Sequence, residues 1–331
     1  MSSPHALLEI SDLKTYYSTD YGTVKAIDGI DLTINKHEVI GLVGESGCGK
    51  STVGLSILRV LPRNGRIISG RIVLDGQNLL DLDDERMRTI RGSRISMIFQ
   101  DPLTSLNPVF TVGDQIAEAV ELHQKVGSKT EVDEKIVEIL DGVGIPEANR
   151  RVSEYPHQFS GGMRQRVMIA MMLSCNPDLL IADEPTTSLD VTIQAQVLRL
   201  MKHLREKLGS SMLLITHDLG IIAEYSQKVA VMYAGRIVES SDVVTIFKNP
   251  RHPYTQALLR SVPRTDIKQE KLPSIPGFVP SLINPPKGCR FHPRCRHAKN
   301  ICREKDALKT EINSGHIVFC WRAEEVGFVG E

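Results

Sequence analysis

A glycine-rich loop at residues 44–51, Gly-Glu-Ser-Gly-Cys-Gly-Lys-Ser, lies between an apolar run and a segment patterned as a helix. The run at 39–43 has the length and composition of a buried strand, and residues 52–60 have those of a helix. The loop matches G-x-x-x-x-G-K-[ST] at every fixed position. Its glycines leave backbone N–H groups open to phosphate oxygens, and the helix adds the positive end of its dipole. The chain is therefore predicted to cradle the phosphates of a nucleotide.

Further apolar runs at 95–99, 179–182 and 212–216 alternate with helical patterns. This alternation is typical of an α/β fold with a parallel sheet. Strands and turns dominate residues 7–43, and an N-terminal antiparallel β-subdomain is expected there. A helical pattern then predicts an inserted subdomain at about 101–175.

The composition changes after residue 245, where proline, arginine, histidine and cysteine become frequent and long apolar runs disappear. Repeated prolines exclude long helices there. The predicted domains are therefore 1–245, which carries the nucleotide-binding fold, and a small, loop-rich 246–331.

Bulk composition excludes several classes of function. Lys+Arg and Asp+Glu both number 40, so no basic excess indicates nucleic acid as a partner. No apolar stretch is long enough to cross a membrane, and the N-terminus lacks the pattern of a secretory signal. We expect a cytoplasmic, reducing location, in which the six cysteines serve metal binding or packing rather than disulfides.

Polar residues follow the predicted strands at the edge where phosphates bind. Asp183 and Glu184 come directly after the run at 179–182. Asp183 would hold Mg²⁺, directly or through water, and Glu184 would polarise the attacking water. His217 would contact a γ-phosphate, although a lone histidine is as often structural. Gln100 would sense Mg²⁺ or water through its neutral amide.

Within the glycine loop, Lys50 is expected to reach the β- and γ-phosphates, and the Ser51 hydroxyl is expected to ligate Mg²⁺. An aromatic ring ahead of the loop, Tyr17, would stack on adenine, but spacing does not separate it from Tyr16. The full predicted nucleotide-binding set is Tyr17, Gly44, Glu45, Ser46, Gly47, Cys48, Gly49, Lys50, Ser51, Thr52 and Gln100.

A second glycine loop, built around Ser160, Gly161 and Gly162, also exposes backbone N–H groups to an anion. A chain that needs one ATP has no evident use for two such loops. The second loop would have a function if it contacted the ATP that is bound by a neighbouring subunit.

Taken in their order along the chain, these motifs resemble those of the ATP-binding subunits of ABC transporters, and the resemblance covers residues 7–245. The resemblance implies a RecA-like core and a head-to-tail pair in which Ser160–Met163 face the partner's ATP. Asp190, in Ser188-Leu189-Asp190, would lie at the interface. The family's signature usually reads LSGGQ, and here Phe159 and Met163 replace its first and last residues.

Segments 99–108, 155–158 and 251–259 are similar to the dipeptide and oligopeptide importer branch, and the similarity extends to about residue 322. It implies ATP-driven peptide import at the cytoplasmic face of the membrane. The implied partners are a sister ATPase or a second copy, two transmembrane permease subunits and, through them, an extracytoplasmic solute-binding protein. Nickel or oligosaccharide import, or a non-transport ABC ATPase, are the alternatives. A P-loop kinase has no need for the second glycine loop.

Four cysteines in the tail, at positions 289, 295, 302 and 320, are spaced x5, x6 and x17. Zn²⁺ and iron–sulfur clusters both accept four thiolates, and the spacing matches neither common zinc pairs nor ferredoxin runs. His292, His297 and His316 could replace cysteines in a zinc site. The family resemblance favours a [4Fe-4S] cluster on Cys289, Cys295, Cys302 and Cys320.

Overall fold

The computed structural model describes residues 6–100, 106–124, 126–187, 190–262 and 274–325. The chain divides into two compact units. One, which we call the helical unit, contains residues 35–38 and 81–213. The other, which we call the β-rich unit, contains residues 6–34, 39–80 and the chain from 214 onward.

The described residues form strands and helices that we number in chain order. The strands are β1 Ala6–Thr19, β2 Gly22–Asn35, β3 Val39–Val43, β4 Gly65–Leu74, β5 Gln77–Asn78, β6 Ile95–Ile98, β7 Leu179–Asp183, β8 Ser211–Thr216, β9 Lys228–Tyr233, β10 Arg236–Asp242, β11 Thr310–Asn313 and β12 His316–Val318. The helices are α1 Lys50–Leu58, α2 Asp84–Ile90, α3 Val112–His123, α4 Lys129–Gly142, α5 Ala148–Arg151, α6 Gly161–Leu173, α7 Val191–Leu208, α8 Leu219–Tyr225, α9 Val243–Lys248, α10 Pro253–Arg260 and α11 Asn300–Glu304.

The β-rich unit contains an antiparallel sheet in the order β2-β1-β4-β5. Its strand β1 packs on α1, where the Thr15 hydroxyl lies 2.9 Å from that of Ser56 and both side chains are buried. The predicted N-terminal antiparallel subdomain is confirmed, and it lies directly against the helix that follows the glycine loop.

A second set of strands in the β-rich unit is mixed in direction. Strand β3 pairs parallel with β9, with Val43 opposite Val231, whereas β9 pairs antiparallel with β10. Strands β12 and β11 then extend the set beyond β10. All five residues of β3 are buried, as its unbroken apolar sequence predicts. Residues on both sides of the predicted boundary at 245 share this sheet, and the division into two domains stays a prediction.

A buried set of hydrogen bonds joins the tail to β10. The Glu239 carboxylate, fully buried, accepts hydrogen bonds from the backbone N–H groups of Arg251 and His252 at 2.6 and 3.0 Å. His316 Nε2 lies 2.8 Å from Glu239 Oε1, and that histidine is 1% exposed. A buried carboxylate is stable only with such a set of partners. Glu239 therefore fixes β12 and the segment leading into α10 on the same strand.

The helical unit contains β6 and β7, which pair parallel, and the predicted run of helices. Its core is formed by apolar side chains at helical spacing on α3, α4 and α6. Helix α3 begins at a capping box, in which Thr111 and Asp114 satisfy each other's backbone N–H groups. Residues 101–105 of the predicted helical subdomain lie outside the described residues.

Across the described ranges, none of the helices combines the length and apolar character that a membrane span requires.

Candidate functional site

The glycine loop of the β-rich unit is shaped by close backbone approaches. A Cβ on Gly44 would stand 2.1 Å from the Met232 carbonyl oxygen, and one on Gly49 would stand 2.2 Å from that of Ala26. Gly49 also has a φ of 106°, in the left-handed region. Both positions therefore require glycine. Between them, Ser46 and Gly47 are exposed, which leaves their backbone open to a ligand.

Lys50 begins α1 and reaches back across the loop. Its side chain is buried, and Nζ donates to the carbonyl oxygens of Gly44 and Glu45 at 2.9 and 3.2 Å. Ser51, on the first turn of the helix, is half-buried. Cys48 is fully buried and packs within the loop, and this burial raises the pKa of its thiol. The loop thus concentrates one ammonium group and a helix N-terminus, which suits a polyphosphate.

The two adjacent tyrosines of β1 have different partners. The Tyr17 hydroxyl donates to Thr52 Oγ1 at 3.2 Å, next to Lys50 and Ser51 on α1. Tyr16 instead donates to Asp28 at 2.5 Å, and burial together with this bond raises its pKa to about 12. Tyr17 is therefore the aromatic residue that lies beside the phosphate-loop helix.

His217 follows β8 and is exposed. The neighbouring Asp218 is occupied as the cap of α8, where it accepts hydrogen bonds from the N–H groups of Gly220 and Ile221 at 2.7 and 3.3 Å. The cap fixes the backbone next to His217 and leaves the imidazole on the surface.

In the helical unit, two acidic residues lie where β7 ends. Asp183 is buried, at 4% exposure. The Glu184 carboxylate accepts hydrogen bonds from Gln100 Nε2 at 3.3 Å and from the Thr187 hydroxyl at 2.9 Å. The structure therefore brings together Gln100 and Glu184, which the sequence placed at the ends of two different strands. Because β6 and β7 pair in parallel, their carboxyl ends meet at one edge.

The second glycine loop opens helix α6. Ser160 caps that helix and accepts a hydrogen bond from the Met163 N–H at 3.3 Å. A Cβ on Gly161 would meet no atom within 4 Å, so the backbone there faces open space. Met163 instead packs on the core of the helical unit. Ser160 and Gly161 are thus exposed to a ligand, whereas Gly162 and Met163 are partly buried.

Asp190 caps α7 in the same way and accepts from the Ile193 N–H at 3.0 Å. Its side chain is on the surface. Ser188 and Leu189, the rest of that motif, lie outside the described residues.

The four tail cysteines line one small cavity of the β-rich unit, together with His252, Phe291, His292, His297 and Arg322. Burial raises the pKa of Cys289 to about 11 and that of Cys320 to about 12, and the neighbouring thiols add to both shifts. Burial also raises the pKa of Cys295, which the guanidinium groups of Arg322 and Arg296 oppose. Within the described ranges, no group of three or more histidine, cysteine, aspartate or glutamate side chains is arranged to hold a single metal ion.

His316 is not a substitute ligand for this set, contrary to the expectation from sequence. It lies on β12 and is paired with Glu239. His292 and His297 do line the cavity, but Nδ1 of His292 lies 3.0 Å from the Cys289 carbonyl oxygen.

Comparison with known proteins identifies the family. The chain is 53% identical to the probable peptide ABC transporter ATP-binding protein y4tR of Sinorhizobium fredii, over 98% of each chain. This chain belongs to the family of ABC transporter ATP-binding proteins. It is also 47% identical to the dipeptide transport ATP-binding protein DppD of Bacillus subtilis, again over 98% of each chain.

Family models and solved structures agree with this membership. Residues 27–187 match the ABC transporter model, and residues 238–302 match the C-terminal region of oligopeptide/dipeptide transporters. The fold is similar to the ATP-binding cassette MJ0796, solved as a dimer in a post-hydrolysis state with ADP and Pi. The TM-score is 0.63 at 26% identity, over 71% of this chain and 98% of that one. As an ABC ATPase, the chain uses ATP and Mg²⁺ and couples ATP hydrolysis to transport.

One residue of this ABC cassette was not singled out from sequence. Gln165, fully buried on α6, donates to the Pro185 carbonyl oxygen at 2.5 Å. It ties the helix that carries the second glycine loop to the residue after Glu184. The sequence gives little indication of this buried contact, because a glutamine on a helix is ordinarily a surface residue.

Proposed function

We propose that this ATPase powers the import of di- or oligopeptides through a membrane permease. The observation that carries the proposal is the match at 238–302 to the C-terminal region of oligopeptide/dipeptide transporters. Full-length similarity to relatives named for peptide and dipeptide transport supports the same cargo. Nickel or oligosaccharides are the competing cargoes.

Reconstitution in vesicles with the permease subunits and their binding protein tests the cargo. We expect ATP-dependent uptake of a labelled di- or oligopeptide, and ATP hydrolysis that rises when the peptide-loaded binding protein is added. Nickel and a trisaccharide serve as matched cargoes in parallel vesicles. Uptake of either of these, without peptide uptake, would contradict the proposal.

For ATP binding, we propose that Tyr17 stacks on adenine and that the backbone of 44–51 surrounds the phosphates. When ATP binds, Lys50 Nζ would donate to β- and γ-phosphate oxygens in place of the two carbonyl oxygens. Hydrogen bonds to charged phosphate oxygens are stronger than hydrogen bonds to neutral carbonyl oxygens. Ser51 and Thr52 follow on the helix, and the Ser51 hydroxyl would ligate Mg²⁺. The position of Tyr17 beside Thr52 supports this choice over Tyr16.

For hydrolysis, we propose that Glu184 is the general base and that Asp183 holds Mg²⁺. The hydrogen bonds from Gln100 and Thr187 hold the Glu184 carboxylate in one orientation, which supports its role in aligning a water. Gln100 would also sense Mg²⁺, and His217 would contact the γ-phosphate from the surface that it occupies.

The exposed second glycine loop supports a shared site in a pair of cassettes. Ser160, Gly161 and Gly162 of one chain would contact the γ-phosphate held by the other, with Asp190 at the interface. Inverting an equilibrium from 1:99 to 99:1 takes about 5.5 kcal/mol. A hydrogen bond to a charged group contributes about 1.5–3 kcal/mol. A few such bonds would therefore close the pair, and hydrolysis would reopen it.

The partners that follow are a sister ATPase, with a second copy of this chain as the alternative, and two transmembrane permease subunits. An extracytoplasmic binding protein would deliver cargo to the permease. The chain would then work at the cytoplasmic face of the membrane.

For the tail, we propose a [4Fe-4S] cluster held by Cys289, Cys295, Cys302 and Cys320. All four thiols line one cavity, which supports a group shared by the four cysteines, and the resemblance to peptide importers favours a cluster over Zn²⁺. Arg296 and Arg322 next to Cys295 would offset the negative charge of a thiolate-ligated cluster. By linking the four cysteines, such a cluster would stabilise a C-terminal segment that has little regular secondary structure.

Purification without oxygen tests the tail proposal. We expect a brown protein with an absorption band at about 400 nm, together with bound iron and sulfide. The Cys302→Ser variant should lose this band, whereas Cys175→Ser should retain it, because Cys175 lies in the helical unit and donates to the Ala119 carbonyl oxygen. A colourless protein with one zinc ion per chain would refute the cluster.

A further inference from the structure

The phosphate loop is held by residues of the C-terminal region, more than 200 positions away along the chain. Arg294 donates from Nη1 to Glu45 Oε2 at 2.7 Å and from Nη2 to Glu45 Oε1 at 3.0 Å. This is a bidentate pair, the geometry in which arginine holds a carboxylate most firmly. The Arg294 side chain is 4% exposed and that of Glu45 is 27% exposed, so the pair is largely shielded from solvent.

A second contact reaches the backbone of the same loop residue. The Tyr254 hydroxyl accepts a hydrogen bond from the Glu45 N–H at 2.9 Å. Tyr254 is fully buried, and its ring packs on those of Tyr233 and Phe291, with centroids 4.5 and 5.3 Å away. The hydroxyl is therefore presented from a packed aromatic cluster.

The guanidinium of Arg294 is itself fixed by other partners. It donates to the carbonyl oxygens of Pro276 and Ile275 at 2.9 and 3.2 Å, and to the Tyr233 hydroxyl at 3.3 Å. A side chain with so many fixed partners acts as part of the framework, and Glu45 is the loop residue that it restrains.

Glu45 without this partner would harm phosphate binding in two ways. The loop would lose a restraint on the residue that follows Gly44, and fewer molecules would hold the binding conformation, which lowers apparent affinity in proportion. An uncompensated carboxylate would also stand within the loop that receives a polyanion, and like charges at short range repel.

We propose that Arg294 and Tyr254 are positioning residues for ATP, which hold and neutralise the phosphate loop from the C-terminal region. The proposal rests on the proposed role of residues 44–51 as the phosphate cradle. It assigns to the tail a part in nucleotide affinity, in addition to any group that its cysteines bind.

The test measures the Kd of Mg-ATP, with kcat and KM, in full-length variants. For Arg294→Gln we expect Kd and KM to rise about tenfold with kcat within about twofold of the parent protein. Arg294→Lys should recover part of this loss, because one ammonium group restores the charge but not the bidentate geometry. Tyr254→Phe, which keeps the ring packing, should raise Kd by about threefold. Arg303→Gln, an exposed arginine of the same region, is the matched control and should leave Kd unchanged.

A double variant, Arg294→Gln with Glu45→Gln, tests whether Arg294 affects the Kd of Mg-ATP through Glu45. If Arg294 acts through Glu45, Arg294→Gln should change Kd by less than about twofold once Glu45→Gln is present. If Arg294→Gln raised the Kd of Mg-ATP tenfold both in the parent protein and in the Glu45→Gln variant, the proposal would be overturned. A fall in the thermal midpoint of Arg294→Gln with unchanged Kd would overturn it too, because this result would indicate a purely structural residue. Failure of the cradle itself would appear separately, as normal ATP binding by Lys50→Ala.

Discussion

Replacing Glu184 by glutamine is expected to slow ATP hydrolysis by at least two orders of magnitude while ATP binding persists, because a general base contributes about 10²–10⁴-fold. The amide has the shape of the carboxylate, and its oxygen can still accept from Gln100 and Thr187, so the local geometry should survive. The variant would lose the basic oxygen that we propose takes a proton from water.

Two measurements check this expectation. Phosphate release gives the turnover rate, and size-exclusion chromatography with Mg-ATP shows whether the variant accumulates as a closed pair. Glu85→Gln, on the exposed first turn of α2, is the matched control and should hydrolyse ATP at the parent rate. Normal turnover by Glu184→Gln would mean that another group activates the water.

Replacing Lys50 by alanine should weaken Mg-ATP binding by about two orders of magnitude, because each hydrogen bond to a charged group contributes about 1.5–3 kcal/mol. The change removes the ammonium group that would contact the phosphates. It also removes two bonds, to Gly44 and Glu45, that hold the loop in shape.

Titration with a fluorescent ATP analogue in the presence of Mg²⁺ measures the loss, and the thermal midpoint reports whether the variant is folded. Lys248→Ala removes an exposed lysine from the last turn of α9 and should bind ATP as the parent protein does. An unchanged Kd for a folded Lys50→Ala protein would contradict the cradle assignment.

Much of the fold was predictable because its signals are local. The glycine loop, the buried strand β3 and the helix α1 follow one another without a gap, and each has a clear pattern of its own. The helical run after residue 111 was equally clear from its periodicity. The order of the two glycine loops and the acidic pair at Asp183 was sufficient to indicate the family.

The contacts that sequence did not reveal join residues far apart in the chain. Nothing in the sequence around Glu45 indicates that Arg294 is its partner, because an ion pair across 249 positions has no periodicity. His316 was proposed as a possible zinc ligand on residue type alone, and its pairing with Glu239 depends on the register of β12 against β10. The different hydrogen-bond partners of Tyr16 and Tyr17, which are Asp28 and Thr52, likewise depend on contacts between distant parts of the chain.

The buried pair of Glu239 and His316 has a consequence for biosynthesis. The ribosome completes β10 well before it adds His316, 77 positions later. Until then the Glu239 carboxylate lacks its imidazole, and burial of a carboxylate without its partners is strongly disfavoured. A chain that stops before β12 therefore leaves β10 without this neighbouring strand and the Glu239 carboxylate without the His316 imidazole, so we expect such a chain to be less stable than the full cassette.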